Sequence, residues 1–448
     1  MPVPTTTAAE DAPSPQVSDI PLGSESDAQT ATPSALLRQP ATSRPAATWR
    51  GKLLALGLGL VVALLLAEIC LRIGGFSAPI FYAPHSVYGT ALRPNVAGWY
   101  RLEGVAWNAI NSAGFRDLER TVAKPPGTLR IAVLGDSFTA AHQVPLDQTY
   151  CQLLENKLSA ALPTGQQVQV LNFGVNGYGL AQQTLVWREV VRQYQPDVVL
   201  LAMFLGNDIS DNSPEIDPRE RPYFTLAGDV LTLDNRFLKS PYYLSHTRGW
   251  KSWLPSLLDT TRLGQLCYLP RSLALVNYYL KREEQSTTQS ATEAGLYDGV
   301  YRDPGHDPRW QQAWRITELG LRELNREVQS TGAKFMVVTL STSLQASPDQ
   351  ARQTTALARL GVADLYAPDR HIGSYCDELG ISRLTLAPQL HNIAKKLGQP
   401  LHGTAANPDL GHWNQAGHAA VAELISPWLL QNLDKSPASL PGTVGDSK

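Results

Sequence analysis

Residues that together can break an ester bond stand in two separate parts of the chain. In the first part, an apolar run at 131–134 stops at Gly135-Asp136-Ser137, so a serine hydroxyl directly follows a predicted strand. In the second part, His412 follows Asp409 by three residues, just before the last predicted helix. Nucleophilic attack on an ester needs a hydroxyl, a base that takes its proton and a group that orients the base. We therefore predict that Ser137 is the nucleophile, that His412 is the general base, and that Asp409 holds the imidazole.

The oxyanion that forms during such an attack needs hydrogen-bond donors, and two further segments can supply them. Gly177 lies in a glycine-rich stretch after a second apolar run, and Asn207 follows a third one. The backbone N–H of Ser137, the N–H of Gly177 and the side-chain amide of Asn207 form the predicted oxyanion hole. Three of the candidate site residues also have plainer interpretations. Ser137 can be a helix cap, His412 a structural histidine and Asn207 a turn residue.

The spacing of apolar residues predicts alternating strands and helices from residue 128 onward. Buried parallel strands are predicted at 129–136, 168–175, 197–208 and 334–340, with a short fifth strand near 381–386. Helices are predicted at 149–162, 180–194, 307–332 and 414–433. This alternation requires crossover connections, so we expect an α/β fold, a three-layer sandwich with a mainly parallel sheet. In such sheets ligands bind beyond the carboxyl ends of the strands, which is where the candidate residues follow.

The four candidate segments read, in chain order, GDSFT, NFGVNGYG, GND and DLGHWN. In this order they resemble the four sequence blocks of the GDSL, or SGNH, hydrolases, over roughly residues 128–210 and 330–432. The resemblance assigns the serine, glycine, asparagine and histidine of that family to Ser137, Gly177, Asn207 and His412, with Asp409 at its D-x-x-H position. It implies a flavodoxin-like sheet and an esterase, lipase, thioesterase or acetyl-transfer activity that needs no cofactor and no metal.

A single strongly apolar segment precedes this region. Residues 53–71 carry one charge, Glu68, and are just long enough to cross a bilayer, which takes about 20 residues. We predict a transmembrane helix at 53–73, with a cleaved signal peptide as the alternative. Four basic residues precede the segment closely, whereas the next basic residue after Arg72 is Arg93. The positive-inside rule therefore predicts a single-pass protein of the cell membrane with a cytoplasmic N-terminus and a periplasmic or extracellular catalytic domain.

Composition characterises the remaining regions. Residues 1–50 and 435–448 are rich in Ala, Pro, Ser and Thr, which predicts disordered tails. A lead-in segment at 75–127 lacks a helical period, so we expect strands and loops packed on the hydrolase domain at 128–434. An insertion at about 210–304 interrupts that domain with a hairpin at 221–235 and then many aromatic residues. We interpret these rings either as a glycan-binding lid or, with preference, as a satellite core or a surface resting on the membrane.

Charge and cysteine content exclude two classes of protein. The chain carries 38 Lys and Arg against 40 Asp and Glu, so nothing indicates nucleic-acid binding. Its four cysteines are too widely spaced for a zinc site or a disulfide scaffold, and at most one disulfide is plausible, among Cys151, Cys267 and Cys376.

The expected function is that of a membrane-anchored serine ester hydrolase. Its substrate would be an acyl ester outside the cytoplasm, such as an acetylated polysaccharide or a lipid. Two alternatives remain open, a polysaccharide O-acetyltransferase and a catalytically silent scaffold of an envelope assembly. The same serine, base and oxyanion hole would serve the transferase, since only the group that attacks the acyl-enzyme differs.

Overall fold

The computed structural model describes residues 48–163, 165–270, 298–302, 307–405 and 407–433. The predicted tails at 1–50 and 435–448 therefore lie almost wholly outside the described residues, as do Tyr278, Tyr279 and Tyr297 of the aromatic insertion. The chain divides into two compact units, Met1–Gly59 and Leu60–Lys448. In the first unit, the described residues form the opening turns of a long helix.

Regular elements alternate along the described chain. The strands are β1 (Tyr82–His85), β2 (Gly89–Leu92), β3 (Ala97–Tyr100), β4 (Ala106–Ala109), β5 (Thr128–Gly135), β6 (Gln167–Gly174), β7 (Val198–Phe204), β8 (Tyr223–Ala227), β9 (Val230–Asp234), β10 (Lys334–Leu340), β11 (Ser382–Thr385), β12 (His402–Gly403) and β13 (Pro408–Trp413). The helices are α1 (Trp49–Ile73), α2 (Ser137–Ala140), α3 (Tyr150–Ala161), α4 (Leu180–Glu189), α5 (Pro241–Thr247), α6 (Trp250–Leu258), α7 (Pro308–Ser330), α8 (Ser343–Ala346), α9 (Gln350–Leu360), α10 (Ala367–Glu378), α11 (Ala387–Leu397) and α12 (Gln415–Leu433).

Five parallel strands form the central sheet. Their order is β6-β5-β7-β10-β11, which is 2-1-3-4-5 when these strands are counted along the chain. Each of the five lies where the apolar runs predict it, although β7 ends at Phe204, before the predicted residue 208. The prediction of an α/β chain with a parallel sheet is confirmed. Gly135 and Gly174 pair at the ends of β5 and β6, so the segments after these strands leave the sheet side by side.

Both faces of the sheet are buried, because successive side chains of β5 point into different hydrophobic clusters. Ile131 and Val133 pack in one cluster with side chains of α3 and α12. Ala132 and Leu134 pack in the other cluster with side chains of α4 and α7. A strand buried on both faces needs a continuous apolar run, which is why β5 reads as one in the sequence.

The lead-in segment consists of strands and loops, as its lack of a helical period predicts. Strands β1 and β2 form one antiparallel hairpin, and β3 and β4 form a second. The insertion begins with the predicted hairpin, β8 and β9, joined at Gly228-Asp229. It continues with α5, α6 and a helix described over residues 262–270. All four cysteines are described, and each is a free thiol.

Within the described residues one helix, α1, is long and apolar enough to cross a membrane. Its leucine and valine side chains are largely exposed, so no packed core accounts for its composition. A signal sequence near the N-terminus has the same length and composition, and these features alone do not distinguish the two.

Candidate active site

The turn after β5 presents Ser137 at the start of α2. Asp136 is the N-cap of this helix, and its carboxylate accepts the backbone N–H of Phe138 at 2.9 Å. Ser137 is the first helical residue, so Asp136 rather than Ser137 caps α2. Burial raises the pKa of Asp136 to about 6, against the lowering effect of the Phe138 N–H and of His412.

The Ser137 hydroxyl contacts the imidazole of His412. Ser137 Oγ and His412 Nε2 lie 2.7 Å apart, although the residues are 275 positions apart in the chain. The predicted contact between nucleophile and base is therefore present, within hydrogen-bond reach for proton transfer. The Phe138 ring packs against the imidazole, with 4.7 Å between ring centroids, which limits rotation of the base.

A carboxylate from the lead-in segment, Glu103, occupies the other side of the imidazole. Glu103 Oε2 makes a short hydrogen bond with His412 Nδ1 and accepts the backbone N–H of His412 at 3.3 Å. Glu103 lies in the bend between β3 and β4. The next residue is a glycine, Gly104, whose Cβ would stand 2.4 Å from the carbonyl oxygen of Gln143, so only glycine lets this bend approach.

The charge on Glu103 fixes the direction of proton transfer. Burial favours a higher pKa for Glu103, but the charge and hydrogen bonds of His412 outweigh it and hold the pKa below its ordinary value. An ionised Glu103 accepts a hydrogen bond from the Nδ1–H of His412, so the proton stays on Nδ1. Nε2 is then the nitrogen that accepts a proton from Ser137. Ser137, His412 and Glu103 therefore form a serine, histidine and carboxylate arrangement able to activate a hydroxyl.

Asp409 lies elsewhere, so the prediction that it orients His412 is wrong for this structure. Its carboxylate accepts the Ser347 hydroxyl at 2.5 Å and pairs with Arg352. Burial raises the pKa of Asp409, with Ser347 and Arg352 acting in the opposite direction. The physical reason is the local structure. Asp409 and Gly411 have φ of +62° and +72°, and the register of β13 with β12 shifts at this point, so neither helical nor strand periodicity relates Asp409 to His412.

The remaining predicted residues, Gly177 and Asn207, follow β6 and β7 at the same edge of the sheet as Ser137. Gly177 has φ +74°, a conformation that favours glycine. Asn207 has a buried side-chain oxygen with no hydrogen-bond partner in the described structure. The sheet brings both residues to the edge that holds Ser137. Their convergence on one small volume beside the hydroxyl remains a prediction.

Two arginines of the insertion hold the Gly177 turn. Arg221 is almost fully buried and donates from Nη1 to the carbonyl oxygen of Gly177 at 2.6 Å. Its other terminal nitrogen pairs with Asp211 at 2.9 Å and Asp217 at 3.1 Å. Arg219 covers the turn, since a Cβ on Gly177 would stand 2.9 Å from its Nη1. The start of the insertion thus holds the residue whose backbone N–H is one predicted oxyanion donor.

The lead-in segment also stabilises the carboxyl end of α2. Arg116 is fully buried and donates to the carbonyl oxygens of Ala140 and Ala141 at 3.1 Å and 2.8 Å, and to that of Val144 at 2.5 Å. Carbonyls at the end of a short helix have no partner within the helix, so Arg116 supplies one. The stretch NSAGFRD at 111–117 therefore supports the nucleophile without contacting it.

Three other histidines lie buried near the site and serve packing. His142 bonds with Asn108 and Tyr82, His402 with Ser341 and the Gly411 carbonyl, and His418 with Gln143 and the Tyr150 N–H. Burial lowers the pKa of each to about 3. They remain neutral at pH 7, and the interpretation of His418 as a helix-packing residue agrees with these contacts.

Replacing His418 with glutamine should remove an acid-dependent loss of stability. The pKa of His418 is depressed to about 3 in the folded state, so the unfolded chain binds the extra proton as the pH falls through about 6.5. Below that pH the wild type loses the part of its unfolding free energy that depends on a neutral His418. The variant has no titrating group at this position and does not show this loss. We expect the stability deficit of His418→Gln, measured by urea unfolding, to shrink by about 2 kcal/mol between pH 7 and pH 5. A deficit independent of pH would contradict a neutral buried imidazole.

The sequence of this chain shows limited similarity to those of known proteins. No family model matches the chain. An arylesterase from Vibrio mimicus is 28% identical over 87 residues, which is 19% of this chain and 42% of that enzyme. The chain thus spans less than half the length of this relative.

Among solved structures, the chain resembles a two-domain esterase active on acetylated mannans, with a TM-score of 0.33, 12% identity and coverage of 71% of this chain and 53% of that one. It also resembles an acetylxylan esterase from Geobacillus stearothermophilus, with a TM-score of 0.32, 11% identity and coverage of 72% and 100%. Each is a protein to which this chain is similar at low identity.

Proposed function

We propose that the protein is a serine ester hydrolase of the GDSL type. The observation that carries this proposal is the contact of 2.7 Å between Ser137 Oγ and His412 Nε2, with the Glu103 carboxylate on Nδ1. These three groups lie at the carboxyl edge of a parallel sheet, where ligands of such folds bind.

The proposed reaction has two halves. Ser137 Oγ attacks the acyl carbon while its proton passes to His412 Nε2, and Glu103 stabilises the imidazolium that forms. The oxyanion takes hydrogen bonds from the Ser137 N–H, the Gly177 N–H and the Asn207 amide. His412 then protonates the leaving alcohol, and the acyl-enzyme remains. In the second half, water loses a proton to His412 and attacks the ester carbonyl. His412 then returns that proton to Ser137 Oγ as the bond between the acyl carbon and Oγ breaks, which releases the carboxylic acid and regenerates both residues.

We propose acyl esters outside the cytoplasm as substrates, with acetylated polysaccharides the first to test. The full chain would be incubated with nitrophenyl esters of increasing acyl length and with an acetylated glycan, and released acid would be measured. Preference for the acetyl ester and release of acetate from the glycan would support the proposal. Acetate transfer to an added glycan without release into water would identify a transferase instead.

Replacing Asn207 with alanine should slow turnover by about 10²–10³, because the amide is one of several donors to the oxyanion. The loss should fall on kcat, with little change in KM, since the bond is strongest in the transition state. Asn212→Ala is the matched control, because this buried amide donates to the Thr317 hydroxyl of α7 at 2.8 Å. Equal kcat for Asn207→Ala and wild type would remove Asn207 from the oxyanion hole.

We also propose that α1 anchors the protein in the cell membrane with the catalytic region outside the cytoplasm. Four basic residues lie closely before the apolar segment 53–71, whereas the next basic residue after Arg72 is Arg93, which supports this orientation. A reporter fused after residue 434 should be active only outside the cytoplasm, and the chain should resist extraction by carbonate. A cytoplasmic reporter would overturn the orientation. Release of a shortened chain into the soluble fraction would identify a cleaved signal peptide.

The boundaries of the regions and the finer class of the fold belong to the same proposal. We place the lead-in at 75–127, the hydrolase domain at 128–434 and the insertion at about 210–304. A three-layer, flavodoxin-like sandwich is supported by the strand order 2-1-3-4-5 and by buried clusters on both faces of the sheet.

A further inference from the structure

We propose that the exposed apolar face of α6 rests on the surface of the lipid bilayer that α1 crosses. This inference rests on the proposed membrane span and adds a second contact with the same membrane. The contact surface is defined by Trp250, Trp253 and Leu257, the exposed apolar residues of α6.

The insertion is attached to the last turns of α1 by hydrogen bonds. Glu68 of α1 accepts the backbone N–H groups of Arg262 and Leu263 at 3.0 Å and 2.9 Å, and it pairs with Arg72 at 2.7 Å. Free N–H groups at the start of a helix favour a carboxylate, so Glu68 caps the helix that begins at residue 262. Only 16% of the Glu68 side chain is exposed. This one charge of the apolar segment is thus used to attach the insertion.

The chain directly after α1 is held by the same part of the insertion. The Ile80 N–H donates to Asp259 at 3.0 Å, and Arg93 pairs with that carboxylate at 2.5 Å. The Ala78 N–H donates to Gln265 at 3.0 Å. Contacts both on α1 and beyond it prevent the insertion from swinging away from the end of the helix.

These contacts set the height of the insertion relative to the bilayer. A helix rises about 1.5 Å per residue, so Glu68 lies only about 7 Å from the end of α1 at Ile73. If 53–71 fills the hydrocarbon layer of about 30 Å, Glu68 lies in the last turn inside that layer and Arg72 lies just beyond it, among the headgroups. The backbone at 262 and 263 lies at that level as well. Helix α6 ends four residues earlier, at Leu258.

The surface at this level has the chemistry of a membrane interface. Trp250, Trp253 and Leu257 follow a spacing of three and four residues, so they share one side of α6. Their exposed fractions are 60%, 54% and 55%. Soluble surfaces rarely gather such residues, whereas tryptophan and tyrosine concentrate at headgroup level. Lys251 lies 5.9 Å from the Trp250 ring and can reach anionic headgroups.

Quenching by brominated lipid tests this contact. The full chain would be placed in nanodiscs of phosphatidylcholine brominated near the headgroup, and in unbrominated nanodiscs for reference. Difference spectra against three variants isolate the emission of chosen residues: Trp250→Phe with Trp253→Phe for the proposed surface, Trp49→Phe for α1, and Trp107→Phe as the control. Trp107 is comparably exposed at 45%, but it lies in the lead-in strand β4.

We expect the bromine to reduce the emission of the Trp250 and Trp253 pair at least about twofold, with little effect on that of Trp107, because quenching requires contact with the lipid. Emission from Trp49 should also fall, since Trp49 opens the apolar helix. Quenching of Trp49 without quenching of the pair would overturn the surface contact and leave the anchor intact. A chain that stays outside the nanodiscs, with no residue quenched, would overturn the anchor and the contact together. An unquenched pair whose emission changes when acetylated polysaccharide is added would overturn the membrane contact and identify a glycan-binding lid.

Discussion

Replacement of Ser137 with alanine should abolish nearly all ester turnover, with a loss of about 10⁶ in kcat by analogy with other serine hydrolases. Replacement of His412 with alanine should cost about as much, because the hydroxyl is a weak nucleophile unless a base removes its proton. The structure places the two atoms 2.7 Å apart, so neither group can act without the other. Initial rates with an activated acetyl ester measure the effect.

The double variant provides the sharper test. Groups that act as one unit lose their effect together, so Ser137→Ala with His412→Ala should be only slightly slower than either single variant. Ser343→Ala is a suitable control, because this serine begins the short helix α8 and its hydroxyl accepts a hydrogen bond from Arg352 at 3.3 Å. Multiplicative losses in the double variant, or full activity of Ser137→Ala, would show that another nucleophile carries the reaction.

Removing the Glu103 carboxylate should have the second largest effect, a loss of about 10²–10⁴ in kcat for Glu103→Gln. The glutamine keeps the shape of the side chain but cannot stabilise an imidazolium, and it allows the wrong tautomer of His412. Since the negative charge favours the protonated imidazole, its loss should also move the acid limb of the pH–rate profile to lower pH. Rates over pH 4–9 would reveal both changes.

Asp409→Asn is the matched control for this carboxylate. Asp409 pairs with Arg352 and Ser347, so we expect less than about a tenfold change in kcat and an unshifted pH profile, together with a lower melting temperature. The reverse outcome, a large kcat loss for Asp409→Asn and a small one for Glu103→Gln, would restore the assignment that the D-x-x-H spacing suggests.

The sheet and the serine–histidine contact could be predicted because local patterns determine them. A strand buried on both faces must be apolar throughout, so β10 is readable from its sequence at 334–340, where the structure has it. Parallel strands end at one edge, and the residues after them are brought together wherever they stand in the chain. Ser137 follows this rule directly, and His412 adjoins the last helix.

Glu103 could not be predicted, because no local pattern states where a hairpin will dock. It stands 309 residues before His412, in a bend between two short strands whose sequence specifies only a turn. The prediction for Asp409 was wrong for a different reason, because here a local pattern was present but did not determine the structure. Its spacing from His412 brings the two side chains together only in one backbone conformation, and here the positive φ of Asp409 and Gly411 gives the segment a different one. The four helices α8 to α11 were also not foreseen.

The position of Glu103 affects how fragments of this protein should be cut. An excision that follows the recognisable motifs would begin at the first strand of the sheet, near residue 128, and would discard the carboxylate while retaining the serine and the histidine. Such a fragment would resemble an intact enzyme by every motif and yet behave as one lacking a member of its catalytic set. Weak activity of such a fragment would reflect the loss of Glu103 and would not show that the serine and histidine motifs are inactive. Under the proposed function, the smallest fragment that keeps all three residues begins upstream of residue 103 and not at the serine motif.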